Sequence, residues 1–141
     1  MKKINMVDLN GQYRKIRWQV NREIKKVINT SSFVNGPIVK EFQNNLQEYL
    51  GVKHVIPCAN GTDALQIALM ALDLKIGDEV ITTNFSFAST IEVIMLLGLK
   101  PVVIDIDPRT FNINPDIIQD KISNKTKAII PVHLFGQSCR M

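Results

Sequence analysis

The stretch Asn60-Gly61-Thr62-Asp63 places small polar residues directly before an apolar segment with helical periodicity. The first N–H groups of a helix have no acceptor within the helix, and the helix dipole favours negative charge at that end. Glycine permits close approach to the backbone, and the Thr62 hydroxyl adds a further donor. The pattern therefore predicts a small anion site at Gly61 and Thr62, with a plain N-cap that holds no ligand as the alternative. The longer glycine motifs for nucleoside triphosphates and dinucleotides are absent from the sequence.

Two phenylalanines, a histidine and a pair of aspartates occupy other positions at which chemistry is possible. Phe85 and Phe87 alternate with polar residues after an apolar segment, so each could pack in a core or lean over a ligand. His133 follows another apolar segment, where it could face a ligand or be a satisfied histidine at a strand end. Asp105 and Asp107 could form a metal pair, but the proline and polar residues after Asp107 favour a capping role in a turn.

The elements that must position these residues follow from the spacing of apolar residues. The first third of the chain predicts two helices, one over 14–29 and one that begins at Pro37 and ends at Gly51. Beyond it, strands are predicted with a helix in each gap, at 54–57, 79–82, 101–106 and 127–132. The intervening helices are predicted over 62–73, from a capping box at Ser89 to Gly98, and after a cap at Asn114. This alternation is typical of an α/β domain with a mainly parallel sheet flanked by helices.

The chain is thus predicted to contain an N-terminal helical segment over residues 1–52 and an α/β domain over 53–141. In open α/β sheets, ligands bind beyond the carboxyl ends of the strands. The segments after the first, second and fourth predicted strands contain Gly61-Thr62, Phe87 and His133, so we expect all three to lie at one edge of the sheet.

Composition excludes several classes of function. The net charge of +4 arises from 17 basic and 13 acidic residues spread along the chain, and no basic stripe is interleaved with aromatic residues, so a nucleic-acid partner is not expected. Cys58 and Cys139 are far apart and belong to no metal-ligand motif, which favours a reducing, cytoplasmic location. No signal-peptide pattern and no run of 18 apolar residues is present, so no membrane partner is expected.

Three stretches together resemble the DegT/DnrJ/StrS type of nucleotide-sugar aminotransferases, which are pyridoxal-phosphate enzymes of fold type I. The stretches are FVNGPIVKEFQNNLQEYLGVKHVIPCANGTDALQIAL, GDEVITTNFSFASTIEVIMLLGLKPVVIDIDPRTFNINP and TKAIIPVHLFGQ. The resemblance extends from about Val7 to the last residue, and the order and spacing of the motifs agree throughout. It implies that the fold is the N-terminal part of the large fold-type-I domain, and that this part is incomplete.

The resemblance implies cofactor contacts for four residues. Gly61 and Thr62 match the cup that holds the phosphate of pyridoxal 5′-phosphate. Phe87 matches the aromatic residue that stacks on the pyridine ring. Such a residue fits because a flat ring needs a flat surface against it to fix its tilt. His133 lies in the P-V-H-x-x-G segment at the edge of the active site, where its role stays open.

The resemblance also implies a substrate and a cellular role. Asn35 and Gly36, with Pro37, match a segment near the substrate, and the helix over 14–29 matches part of an N-terminal docking layer. The implied substrate is a keto sugar linked to a nucleotide, with glutamate as the expected amino donor, in polysaccharide or lipopolysaccharide biosynthesis. The full-length protein is expected to be a homodimer.

Two family residues have no counterpart in this sequence, the Schiff-base lysine and the aspartate that pairs with the pyridine nitrogen. We expect both to lie beyond Met141, so that the chain corresponds to the first third to two-fifths of such an enzyme and is inactive alone. The first predicted strand is expected at the far side of the sheet, separated from strand four by strands that come later in the sequence. Another missing strand is expected between strand four and the neighbouring strands two and three. Such gaps would expose strand edges and favour aggregation of the chain alone. The alternative is a non-catalytic binding or interaction module that retains the phosphate cup.

Overall fold

The computed structural model describes residues 6–141, so the first five residues of the predicted segment 1–52 lie outside the described part. The chain divides into two compact units, Met1–Pro57 and Cys58–Met141. The division into domains predicted after residue 52 stays a prediction. Within the described residues, no helix is both long enough and apolar enough to cross a membrane.

The first unit contains two helices, α1 (Leu9–Thr30) and α2 (Pro37–Leu50). Asp8 caps α1 by accepting a hydrogen bond from the Gly11 N–H at 2.8 Å. Pro37 occupies the first turn of α2, and Gly51 ends that helix in the left-handed region at φ 65°, as the sequence predicts.

The strand predicted over 54–57 is wrong, because these residues pair with no strand within the described chain. A strand needs a neighbour for its backbone N–H and C=O groups. Side chains of α2 contact this region instead. Gln43 donates to the Val55 carbonyl at 2.8 Å, and Gln47 donates to the Lys53 carbonyl at 2.7 Å.

The second unit contains three strands and two α-helices. In chain order they are α3 (Gly61–Met70), β1 (Glu79–Thr83), α4 (Ser89–Leu96), β2 (Lys100–Ile104) and β3 (Thr126–Ile129). The helix predicted after Asn114 is replaced by two short 3₁₀ turns, Pro115–Ile117 and Gln119–Lys121. Asn114 does cap this segment, but the backbone is extended again at Ile122, which leaves too few residues for a stable α-helix.

The three strands form a parallel sheet in the order β2-β1-β3. All five residues of β1 are buried, as expected for a central parallel strand. The expected gap between strand two and strand four is wrong, because β1 pairs directly with β3. The Ile130 N–H donates to the Ile81 carbonyl at 2.8 Å and the Thr82 hydroxyl donates to the Ile130 carbonyl at 3.0 Å, so the second edge of β1 is satisfied without another strand.

Two apolar clusters form the core of this unit. Because side chains alternate along a strand, Val80 and Ile81 of β1 belong to different clusters. Val80 packs with residues of α3 and α4, and Ile81 packs with Ile104, Ile113 and Cys139. Full burial of each large aliphatic side chain contributes about 1.5–3 kcal/mol. The central strand is therefore fixed from both sides, and so is the position of the loop that follows it.

Candidate functional site

The amino end of α3 has the geometry of an anion site. Asn60 is the N-cap, and its side chain accepts from the Asp63 N–H at 3.0 Å while its carbonyl accepts from the Ala64 N–H at 3.1 Å. Within residues 6–141, the N–H groups of Gly61 and Thr62 have no acceptor. These two donors, together with the Thr62 hydroxyl, remain for a ligand.

The space beside these donors is open. A Cβ atom built on Gly61 would meet no atom within 4 Å, so packing within the described chain does not require glycine here. The Asp63 carboxylate also lies in this first turn, but it accepts from the Asn60 side-chain amide at 3.1 Å. The donor set and the open space fit a phosphate group.

The loop between β1 and α4 is held by short-range hydrogen bonds. The Phe85 N–H donates to the Thr83 hydroxyl at 3.2 Å. The Ser86 hydroxyl lies 3.0 Å from the Phe87 carbonyl and 3.2 Å from the Thr90 hydroxyl. The loop therefore has a defined conformation that presents Phe87 at the carboxyl end of β1.

The predicted capping box at Ser89 is wrong, since the N-cap of α4 is Ala88 and no side chain caps this helix. The Thr90 N–H donates to the Phe87 carbonyl, and the Ile91 N–H donates to the Ala88 carbonyl. The first turn is thus already formed at Ser89, whose side chain is buried inside the unit.

The two phenylalanines of this loop have different environments. The Phe85 ring stacks on the Phe111 ring, with centroids 5.7 Å apart and an interplanar angle of 30°. Phe87 has no ring partner within the described chain and is 79% exposed. Phe85 is therefore partly covered by Phe111, although it is 47% exposed, whereas Phe87 has a flat face available to a ligand.

His133 follows β3 and is exposed, but its ring is not free. The Cys139 N–H donates to His133 Nδ1 at 3.0 Å. The turn between these two residues is fastened by Asn112, which is 3% exposed and which the sequence analysis missed. The only local indication was a polar residue between Phe111 and Ile113, which does not identify a distant partner.

Asn35 and Gly36 lie in the first unit. Asn35 has a left-handed backbone at φ 47°, and Gly36 is the buried N-cap of α2. A Cβ atom on Gly36 would lie 2.5 Å from the Ser32 carbonyl oxygen, so packing alone requires glycine here. A substrate role for these two residues stays a prediction.

The turn predicted after Asp107 is confirmed. Asp107 accepts from the Arg109 N–H at 2.8 Å, and the Arg109 guanidinium lowers the pKa of the Asp107 carboxyl. Within the described chain, no cluster of histidine, cysteine or acidic residues could hold a metal ion. Cys58 is exposed and Cys139 is buried, and both are free thiols.

The sheet topology places two of the candidate segments of the second unit at one edge. Because β1 and β3 are parallel neighbours, the segments with Phe87 and His133 both begin at the carboxyl edge. Helix α4 starts from that edge, and α3, which leads back to the start of β1, packs against α4. An exposed aromatic face and an imidazole therefore follow neighbouring strands at this edge, and their combination with the backbone donors of α3 in one site stays a prediction.

Comparison with known proteins extends this description. The sequence matches the DegT/DnrJ/EryC1/StrS aminotransferase family over residues 14–141. It is 46% identical over 134 residues to UDP-2-acetamido-2-deoxy-3-oxo-D-glucuronate aminotransferase of Pseudomonas aeruginosa, which covers 95% of this chain and 37% of that protein. It is 42% identical over 118 residues to 3-oxo-glucose-6-phosphate:glutamate aminotransferase of Bacillus subtilis, which covers 84% of this chain and 27% of that protein.

A solved structure gives the same result. The crystal structure of NtdA from Bacillus subtilis with the bound cofactor PMP superposes with a TM-score of 0.88 at 36% sequence identity, over 99% of this chain and 33% of that one. The chain thus spans about a third of the length of the relatives it matches. The α/β architecture is that of the fold-type-I aminotransferases, which use pyridoxal phosphate. This chain belongs to the DegT/DnrJ/EryC1/StrS aminotransferase family.

Proposed function

We propose that this chain supplies the phosphate and ring contacts of an aminotransferase that transfers an amino group from glutamate to a keto sugar linked to a nucleotide. The observation that carries the proposal is the amino end of α3. Two backbone donors there have no acceptor within the described chain, and the space beside Gly61 is open.

Gly61 and Thr62 bind the cofactor phosphate in this proposal. Two backbone N–H groups and the Thr62 hydroxyl donate to its oxygens, and the helix dipole favours the negative charge. Hydrogen bonds to charged groups contribute about 1.5–3 kcal/mol each. The phosphate thereby anchors one end of the cofactor at the carboxyl edge of the sheet.

Phe87 and His133 orient the other end of the cofactor. The exposed face of Phe87 stacks on the pyridine ring and fixes its tilt. His133 offers a polar contact at the same edge. When bound, pyridoxal phosphate supplies the electron sink for amino transfer, and the protein supplies its orientation.

The substrate proposal draws on the relatives and on the first unit. The Pseudomonas aeruginosa relative is named for a UDP-linked 3-oxo sugar, and the Bacillus subtilis relative for a 3-oxo sugar phosphate and glutamate. We favour the nucleotide-linked sugar, with Asn35 and Gly36 near it. A homodimer in the cytoplasm that acts in polysaccharide biosynthesis completes the proposal for the whole protein.

The test is an amino-transfer assay on the product of the complete gene that contains these residues. Glutamate is supplied with pyridoxal phosphate and either a UDP-linked 3-keto sugar or a 3-keto sugar phosphate, and release of 2-oxoglutarate is measured. We expect turnover with the nucleotide-linked sugar, loss of cofactor retention in Gly61→Val, and no turnover by residues 1–141 alone. Cofactor binding without amino transfer to either sugar would instead indicate a non-catalytic binding module. Full cofactor retention by Gly61→Val would place the phosphate elsewhere.

A further inference from the structure

The buried carboxamide of Asn112 fastens the segment that follows His133. Its Nδ2 donates to the carbonyls of Gln137 at 3.0 Å and Ser138 at 3.2 Å, and its Oδ1 accepts from the Leu134 N–H at 3.0 Å. Two acceptors on one side and a donor on the other fix the orientation of this amide. The three bonds close residues 133–139 into a compact turn, here called the 133–139 turn.

The 133–139 turn brings a backbone donor onto the histidine ring. The Cys139 N–H donates to His133 Nδ1 at 3.0 Å, and Cys139 itself is buried, with its thiol donating to the Val132 carbonyl at 3.1 Å. A backbone N–H can only donate, so Nδ1 must present its lone pair. The neutral imidazole therefore has its hydrogen on Nε2.

The backbone is strained beside both ends of these contacts, which indicates that the surrounding hydrogen bonds fix the conformation of the 133–139 turn. Phe111 and Phe135 are non-glycine residues with left-handed backbones, at φ 59° and φ 53°. Such conformations persist where the surroundings determine them. Asn112 directly follows Phe111. Leu134, whose N–H donates to Asn112, directly precedes Phe135.

We propose that Asn112 is a positioning residue that locks the His133 imidazole with Nε2–H as its outward group. His133 then acts at the carboxyl edge as a hydrogen-bond donor to a ligand oxygen, and not as a proton acceptor. The ligand part of this inference rests on the proposed function, whereas the lock itself concerns only residues of this chain. A donor there suits an anionic or hydroxyl oxygen of the cofactor or the sugar.

The lock can be measured by NMR without any ligand. Residues 1–141 contain two histidines, so in a sample of these residues His54→Gln leaves His133 as the one imidazole to be observed. With ¹⁵N-labelled protein in mildly alkaline buffer, we expect a protonated Nε2, an unprotonated Nδ1, and a scalar coupling across the hydrogen bond between the Cys139 and Nδ1 nitrogens. Asn112→Ala should abolish this coupling and accelerate hydrogen exchange at the Cys139 amide by about tenfold or more, because the turn opens locally.

Two further variants make the result specific. Asn114→Ala is the matched control, because Asn114 caps the 3₁₀ turn at Asp116 and should leave the coupling unchanged. Asn112→Asp keeps the acceptor for the Leu134 N–H but loses both donated bonds, so it should also lose the coupling.

Several results would overturn the inference. They are a hydrogen on Nδ1 in the parent, a coupling that survives Asn112→Ala, and global unfolding of both Asn112 variants, which would show that Asn112 supports the whole unit. Because the NMR samples contain no cofactor, a missing coupling between Cys139 and His133 is distinguishable from a failure to bind the cofactor.

Discussion

Gly61→Ala is expected to change stability and phosphate binding in opposite directions. Gly61 lies in the first turn of α3, outside the left-handed region, and an added Cβ meets no atom within 4 Å. Alanine restricts the unfolded chain without strain in the folded one, so it should stabilise the fold by about 0.4–1 kcal/mol. In the proposed site, the same methyl group competes with the phosphate for the open space beside Gly61. Loss of one hydrogen bond to a charged group costs about 1.5–3 kcal/mol, which is roughly a tenfold to hundredfold weaker affinity.

The assay uses pyridoxine 5′-phosphate, the alcohol analogue of the cofactor, because it has no aldehyde and cannot form adducts with the 12 lysines of the chain. Calorimetry gives its dissociation constant, and the same titration with pyridoxine isolates the contribution of the phosphate. Denaturant unfolding gives the change in stability.

Ala68→Gly is the matched control, because Ala68 is exposed on the same helix, beyond the first turn. It should cost about 0.5–1 kcal/mol of stability and leave the affinity unchanged. The reasoning is refuted if Gly61→Ala binds pyridoxine 5′-phosphate as tightly as the parent does, or if it destabilises the fold.

Three further predictions concern single side chains. Thr62→Ala should weaken pyridoxine 5′-phosphate binding by about 1.5–3 kcal/mol, and Thr62→Ser, which keeps the hydroxyl, should bind as the parent does; a Thr62→Ala affinity equal to that of the parent would exclude the hydroxyl from the site. Phe87→Ala should change the unfolding free energy by less than about 0.5 kcal/mol yet weaken binding in the same titration, and Phe87→Trp should keep it; equal losses would contradict stacking. Hydrogen bonds from Ser123 and then Lys100 lower the pKa of Glu79, so this carboxylate stabilises the fold at neutral pH and the effect is lost as the pH falls through that pKa. Ser123→Ala should raise the pKa of Glu79 and move acid unfolding to higher pH, and an unchanged acid-unfolding curve would count against this.

Local sequence patterns predict the elements of this fold better than their pairing. Pro37 and Gly51 delimit α2 because each acts within one turn of its own position. Strands β1 and β2 are both evident from short runs of branched aliphatic residues, although only β1 is buried along its whole length and β2 is buried only at Ile104. The direct pairing of β1 with β3 depends on contacts distant in sequence, which no local pattern contains. Residues 54–57 have a strand-like composition, but composition cannot supply a partner strand.

The candidate site divides in the same way. Gly61 and Phe87 could be identified because a helix start and a loop aromatic are local features. Asn112 could not, because its three hydrogen bonds reach residues 22, 25 and 26 positions further along the chain. The orientation of His133 was likewise open from the sequence, since it depends on the amide of Cys139.

The central claim is that the amino end of α3 holds the cofactor phosphate, and mapping of backbone amide shifts during titration tests it most directly. With pyridoxine 5′-phosphate, we expect the Gly61 and Thr62 amides to shift together and saturate at one dissociation constant. Pyridoxine, which lacks the phosphate, should leave these two amides unchanged. Two results would contradict the claim. In the first, pyridoxine 5′-phosphate changes other amide shifts but not those of Gly61 and Thr62. In the second, both compounds change the Gly61 and Thr62 amide shifts equally.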